Sequence, residues 1–183
     1  MLQNTNARYH PLQVSLHWLV VILIFATFLL GKYMSRMPNE SEKIPLLGIH
    51  MALGLVTLVV IVLRLIARLR LPRPVSIKTG NAFLDWVSKA VHEALYVLVF
   101  LTALSGMSLS LQSGLMPTVF GVSSASLPAD FFEFRARLLH GFIAPALLVL
   151  VLLHVGAAFY HQFALKDNLL SRMWYSKPIE ESK

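Results

Sequence analysis

From Leu138 to Tyr160 the chain reads LLHGFIAPALLVLVLLHVGAAFY, twenty-three residues without a charged side chain. A helix needs about 20 predominantly apolar residues to cross the hydrocarbon of a bilayer, and a spanning segment must satisfy its backbone hydrogen bonds internally. The stretch therefore reads as a transmembrane helix, and the rest of the chain must be compatible with one. It carries His140 and His154, fourteen residues apart. At about 1.5 Å per residue they lie ~21 Å apart along the axis, and fourteen is close to four turns of about 3.6 residues. Both imidazoles thus leave nearly the same face, one near each membrane surface.

Three further apolar segments of spanning length precede it, at about 14–31, 46–66 and 87–110, with the last at 138–160. The fold class expected is an all-α four-helix transmembrane bundle forming one membrane domain over 1–183. Hydrophobic residues make up 56% of the sequence, above the 45–50% of ordinary soluble domains, which agrees with this reading. The third segment opens with Lys89, His92 and Glu93, which must snorkel, pair or face the bundle interior. The N-terminal MLQNTNARYHPLQ has one positive charge and no small-residue cleavage site before its apolar run, so it does not read as a removable signal peptide.

Charge sets the expected orientation. One side receives Arg8, Arg64, Arg68, Arg70, Arg73, Lys78, Lys89, Lys166, Arg172, Lys177 and Lys183, eleven in all; the other receives Lys32, Arg36, Lys43, Arg135 and Arg137, five. By the positive-inside rule both termini are cytoplasmic. The net charge of +7 is then topogenic and calls for no nucleic acid. The basic RLIARLRLPRP run reads as a cytoplasmic turn touching anionic membrane lipid, and Pro72 and Pro74 end its helix. The longest connection, from Leu111 to Phe134, has loop chemistry but many apolar residues, so it should cap the bundle or lie at the outer interface.

Depth along these alternating helices pairs the histidines. His50 begins the second segment and His140 the fourth, both outside; His17 begins the first and His154 lies deep in the fourth, both inside. Two histidines from facing helices form the axial cage of a low-spin haem b. With no cysteine in the chain, thiolate sites and covalently attached haem are excluded. A single histidine on an apolar face is more often a hydrogen-bonded core residue than a ligand. Four of them at two matched depths in lipid are not explained that way. Zinc is disfavoured because only two histidines share each level. Gly48, Gly54, Gly141 and Gly156 flank the histidines and offer room for a macrocycle, or equally for helix packing. Pro145 should bend the last helix between its two histidines.

SLHW around His17, GIHMALG around His50, LLHG and LLHVGAAFYHQF around His140 and His154, and the closing LKDNLLSRMW resemble the prokaryotic cytochrome b561 family over nearly the whole chain. The resemblance implies an inner-membrane protein with two haem b groups held by His17, His50, His140 and His154. It also implies electron exchange between ubiquinone and a small donor or a periplasmic redox protein. One member of the family is a superoxide oxidase; larger relatives are cytochrome b subunits that anchor hydrogenases and dehydrogenases. The short chain favours the standalone type. A cofactor-free proton or metal transporter is the competitor from another class.

Other residues take expected roles around this frame. Arg64 is deep enough to suit a haem propionate, or it snorkels. Lys43, Arg135 and Arg137 could draw an anion to the outer haem, although Glu40, Glu42, Asp130 and Glu133 nearly cancel the charge there. His161, one heptad after His154, could bond a quinone, with Lys78 or Lys166 nearby, or simply sit in water. His92 is the rival of His17 as inner ligand, or a propionate or quinone contact. His10 is expected to be solvated.

Overall fold

The computed structural model describes residues 8–74, 80–122 and 126–175. Helix α1 spans Pro11–Met34, α2 Ile44–Arg70, α3 Ala82–Gln112, α4 Leu115–Val119 and α5 Arg135–Phe159. Among the described residues, α1, α2, α3 and α5 are the four helices long and apolar enough to cross a membrane. All four begin and end beyond the apolar runs, except that α5 passes at Phe159 into a π-turn, Tyr160–Ala164. Capping explains the longer ends. Pro11 opens α1 with the His10 ring accepting from Leu12 N at 3.2 Å, and Asn81 caps α3 by accepting from Phe83 N at 2.9 Å. Arg68 and Arg70 close α2, where cations suit the negative end of the helix. A helix that leaves the hydrocarbon thus continues until a cap stops it.

Helix α1 packs on α2, α2 on α3 and α3 on α5. Their shared core is Val20, Leu23, Val60, Ile61, Val99, Leu147 and Val151. The outward residues are apolar too: Ile22 and Leu29 are 64% exposed and Phe142 78%. In water such a surface would aggregate; in lipid it is the correct solvent-facing surface. Thr27, Thr57 and Thr102 each bond the carbonyl four residues back at 2.7 Å, hiding their hydroxyls inside the helix. Pro145 lies inside α5, and the helix runs through it.

The bundle has a near end, where α1 starts and α5 finishes, and a far end, where α1 finishes and α5 starts. At the far end the long connection folds onto the bundle. Leu115, Leu127 and Phe131 are buried there against Ile44, Leu47, Leu109, Val119 and Phe134. The short α4 turns off α3 at Gly114, whose φ of +65° suits a residue without Cβ. At the near end the chain doubles back after the π-turn. Trp18 Nε1 donates to the Met173 carbonyl at 2.9 Å, Tyr9 N to the Arg172 carbonyl at 3.2 Å, and the Ser15 and Tyr175 hydroxyls meet at 2.7 Å. This hook ties residues 172–175 to the start of α1.

Candidate functional site

The four long helices carry five histidines, two toward the far end and three toward the near end; four are half-buried and His92 is exposed. His50 on α2 and His140 on α5 face each other with ring centroids 6.2 Å apart and planes at 81°. Two imidazoles on opposite sides of one metal ion, each bonded at about 2.0–2.1 Å and with a ring radius of about 1.1 Å that follows from ring bonds of about 1.33 Å, have centroids about 6.3 Å apart. The far-end pair has that spacing.

Hydrogen bonds decide which nitrogen of His140 is free. Its Nδ1 lies 3.1 Å from the Thr102 carbonyl, which can only accept, so Nδ1 carries the proton. The Ser105 hydroxyl donates to that carbonyl at 2.8 Å and turns its oxygen to His140 Nδ1 at 3.0 Å. Nε2 is left with a bare lone pair, the form in which imidazole binds a metal. Among the described residues, His50 Nδ1 is buried and makes no hydrogen bond.

Space for the two rings comes from glycines on the neighbouring helices. A Cβ at Gly31 of α1 would stand 2.9 Å from His50 Cε1, and one at Gly106 of α3 would stand 3.2 Å from His140 Cε1. Of the glycines that flank the histidines in sequence, Gly54 and Gly156 have open space within 4 Å of an added Cβ, Gly48 faces Val119 and Gly141 faces Arg137. A glycine on the same helix as a histidine does not face that histidine's ring; the room has to come from the helix opposite.

At the near end His17 on α1, His92 on α3 and His154 on α5 are joined by Arg64 on α2. His92 and His154 have centroids 4.9 Å apart, ~1.4 Å shorter than two ligands across one metal would show. His92 Nδ1 bonds the Ser88 carbonyl at 2.6 Å, so it carries the proton and leaves Nε2 free. His17 has the opposite arrangement. Arg64 Nη2 donates to its Nδ1 at 3.0 Å, while Arg64 Nη1 donates to the Tyr96 hydroxyl at 3.1 Å. Both partners of this half-buried guanidinium are uncharged, and Arg68 lies 5.2 Å from the centre of the same Tyr96 ring. Arg64 thus points into the bundle and does not snorkel. Among the described residues no three of His, Asp and Glu converge to hold a bare metal ion; a haem asks for two imidazoles at each level.

His161, in the π-turn, bonds Asp167 Oδ2 at 2.5 Å, and Asp167 Oδ1 accepts from Leu169 N at 3.2 Å. The KDN segment is therefore the corner of the hook, with Lys166 and Asn168 both at φ +56°. Lys166 is exposed, and Lys78 lies outside the described residues. His10 is exposed, as expected, and also caps α1.

Of the far-end cations, Lys43 and Arg137 come together and Arg135 does not join them. Lys43 is 7% exposed and donates to the Met37 carbonyl at 3.1 Å and Asn39 Oδ1 at 2.8 Å. Arg137 lies over the Phe132 ring at 4.9 Å. With Ser35, Asn39 and Asp130 they line a recess of about 300 Å³. Sequence reasoning missed Gly31, Gly106, Thr102, Ser105, Tyr96 and Asp167. The serine and threonine signals lay in the TALSG run of α3, which hydropathy reads as plain apolar helix.

The family model for prokaryotic cytochrome b561 matches residues 8–176. Cytochrome b561 homolog 2 of Escherichia coli is 31% identical over 93% of each chain. Cytochrome b562 of Cereibacter sphaeroides is 29% identical over 90% of this chain and 94% of its own. A probable superoxide oxidase CybB of Yersinia pestis is 25% identical over 94% of this chain and 98% of its own.

Proposed function

The chain belongs to the prokaryotic cytochrome b561 family, and from that premise we propose a two-haem electron-transfer protein working between a small donor at the far end and quinone at the near end. Membership makes it a multi-pass protein of the bacterial inner membrane, with haem b as cofactor and electron transfer as its task. Haem b, when bound, supplies a one-electron iron couple. The protein's part is to hold and orient it.

The single observation that carries the haem-binding reading is the 6.2 Å separation of His50 and His140, which matches two ligands of one metal ion at the far end; the second site rests on the family resemblance. His140 offers Nε2 from a fixed tautomer, and Gly31 and Gly106 keep the space around both rings open. At the near end His154 is the ligand from α5, ~21 Å further along the helix. Its partner is His17, the position that the family resemblance matches. For His17 to bind metal through Nε2, its Nδ1 must carry the proton, and Arg64 must leave it. Arg64 would then hold a haem propionate as its carboxylate partner.

A second reading of the near end rests on His92, whose tautomer is already that of a ligand and whose ring lies beside His154. The two readings differ in one variant: H17A removes the near-end haem under the first and keeps it under the second, with H92A behaving conversely.

With both termini cytoplasmic, the far end would face the periplasm, where Arg137, at a recess that the buried Lys43 and the carboxylate of Asp130 also line, is the cation that would meet a small anionic donor. The Yersinia relative's name points to superoxide. Each superoxide gives one electron and becomes O₂; a quinone takes two electrons and two protons to become a quinol. The residue we assign to the quinone at the near end is His161, whose bond to Asp167 would orient its ring. Dithionite-reduced spectra with haem counted per chain test this directly. Two low-spin haems are expected, each lost with its own histidine pair, and a colourless folded protein would overturn the proposal.

A further inference from the structure

We propose that Ser105 is a positioning residue for the far-end site: its hydroxyl accepts the Nδ1 proton of His140, which orients that imidazole and strengthens it as an iron ligand. The inference rests on the two-haem reading above.

Thr102, Ser105 and Gly106 lie within about one and a quarter turns of α3, and all three meet the His140 ring. Each has a separate part. Thr102 supplies a backbone carbonyl 3.1 Å from Nδ1, and its own hydroxyl is spent on Leu98 O at 2.7 Å. Gly106 gives the ring clearance. Ser105 is buried, and its only proton goes to the Thr102 carbonyl at 2.8 Å. A hydroxyl whose proton is committed can act toward a second group only as an acceptor, so the 3.0 Å contact with His140 is an N–H···O bond to Oγ.

His140 Nδ1–H is therefore shared between two oxygens, one of which a side-chain substitution can remove. Drawing that proton outward makes the ring more basic at Nε2 and holds its plane. A more basic ligand favours the ferric ion over the ferrous one, so Ser105 biases the far-end site toward its oxidised form. Among the described residues His50, across the site, makes no hydrogen bond at Nδ1, whereas His140 Nδ1 meets two oxygens of α3.

Potentiometric titration of the detergent-purified protein, with low-spin EPR to follow each haem, tests this. S105A is expected to raise the midpoint potential of the far-end haem by about three- to tenfold in its Fe(III)/Fe(II) equilibrium, the upper limit being about 59 mV for one electron. The near-end haem should not move. S105T and S105V share a shape and differ in the hydroxyl, so S105T should match the unaltered protein and S105V should match S105A. That pair decides the matter if S105A fails to accumulate. Loss of the far-end haem in S105V but not in S105T also supports positioning. Equal behaviour of S105T and S105V, or a shift common to both haems, overturns it. An H140A variant that keeps its full haem count would instead sink the two-haem reading, whatever the Ser105 series shows.

Discussion

The two ends of the bundle hold their histidines in different states of readiness. At the far end, His50 and His140 stand at metal-spanning distance, with glycines clearing their rings and two oxygens fixing the tautomer of His140. At the near end three imidazoles crowd together, two of them closer than a shared metal allows, and an arginine occupies the nitrogen of the third. The far-end histidines are set by helix packing and by uncharged hydrogen-bond partners, with the buried Lys43 held apart from them by Met37 and Asn39. At the near end the half-buried Arg64 bonds a histidine directly, so an anionic group arriving there competes for that guanidinium.

The largest expected effect separates the ends outright. H50A and H140A should each remove one haem of two and leave the other spectrum intact, while H154A should remove only the near-end haem, as pyridine haemochrome counting will show. If any one of these removes both, the two levels are not independent. Next, Gly31→Val should displace His50 and deplete the far-end haem by most of its occupancy, because even the first added carbon stands 2.9 Å from the ring. Gly54→Val, on the same helix as His50 but facing open space, should keep normal haem content. Absorbance per chain compares them.

Arg64→Gln should act on the near end alone. Removing a cation beside the cofactor disfavours the added electron, so the near-end midpoint potential should fall by about tenfold in equilibrium, ~59 mV. An unchanged potential would place the propionates away from Arg64. The smallest effect is expected from Lys43→Gln with Arg137→Gln. Their loss should slow reduction by an anionic donor by about threefold at low salt and much less at high salt, with haem content unaltered. Stopped-flow rates at two ionic strengths read this, and an equal loss at both would remove the electrostatic role.

Much of this comparison was legible in the chain. Hydropathy located all four spanning helices, and the spacing of His140 and His154 on one helix defined two levels before any packing was known. Counting depth also paired His50 with His140, which the structure places ring to ring. Depth, however, is a single coordinate. It favoured His17 over its rival His92 as partner of His154, but gave no distances, because those depend on how each helix is rotated and on which helices are neighbours. The glycines show the same limit. Those next to a histidine in sequence could be read only as room for a macrocycle or for helix packing, while the ones that stand against the rings, Gly31 and Gly106, come from α1 and α3 and have no signal in sequence.

Apolar length, charge asymmetry and helical period are properties of the chain itself, since lipid imposes the same demands on any segment that crosses it; from them follow a four-helix membrane bundle and two tiers of imidazole. Which nitrogen of each imidazole is free, which cation turns inward and which hydroxyl reaches His140 arise only when side chains from different helices meet. Those meetings are set by rotation about the helix axes, a degree of freedom that the sequence of any one helix leaves open and only the packing of all four removes.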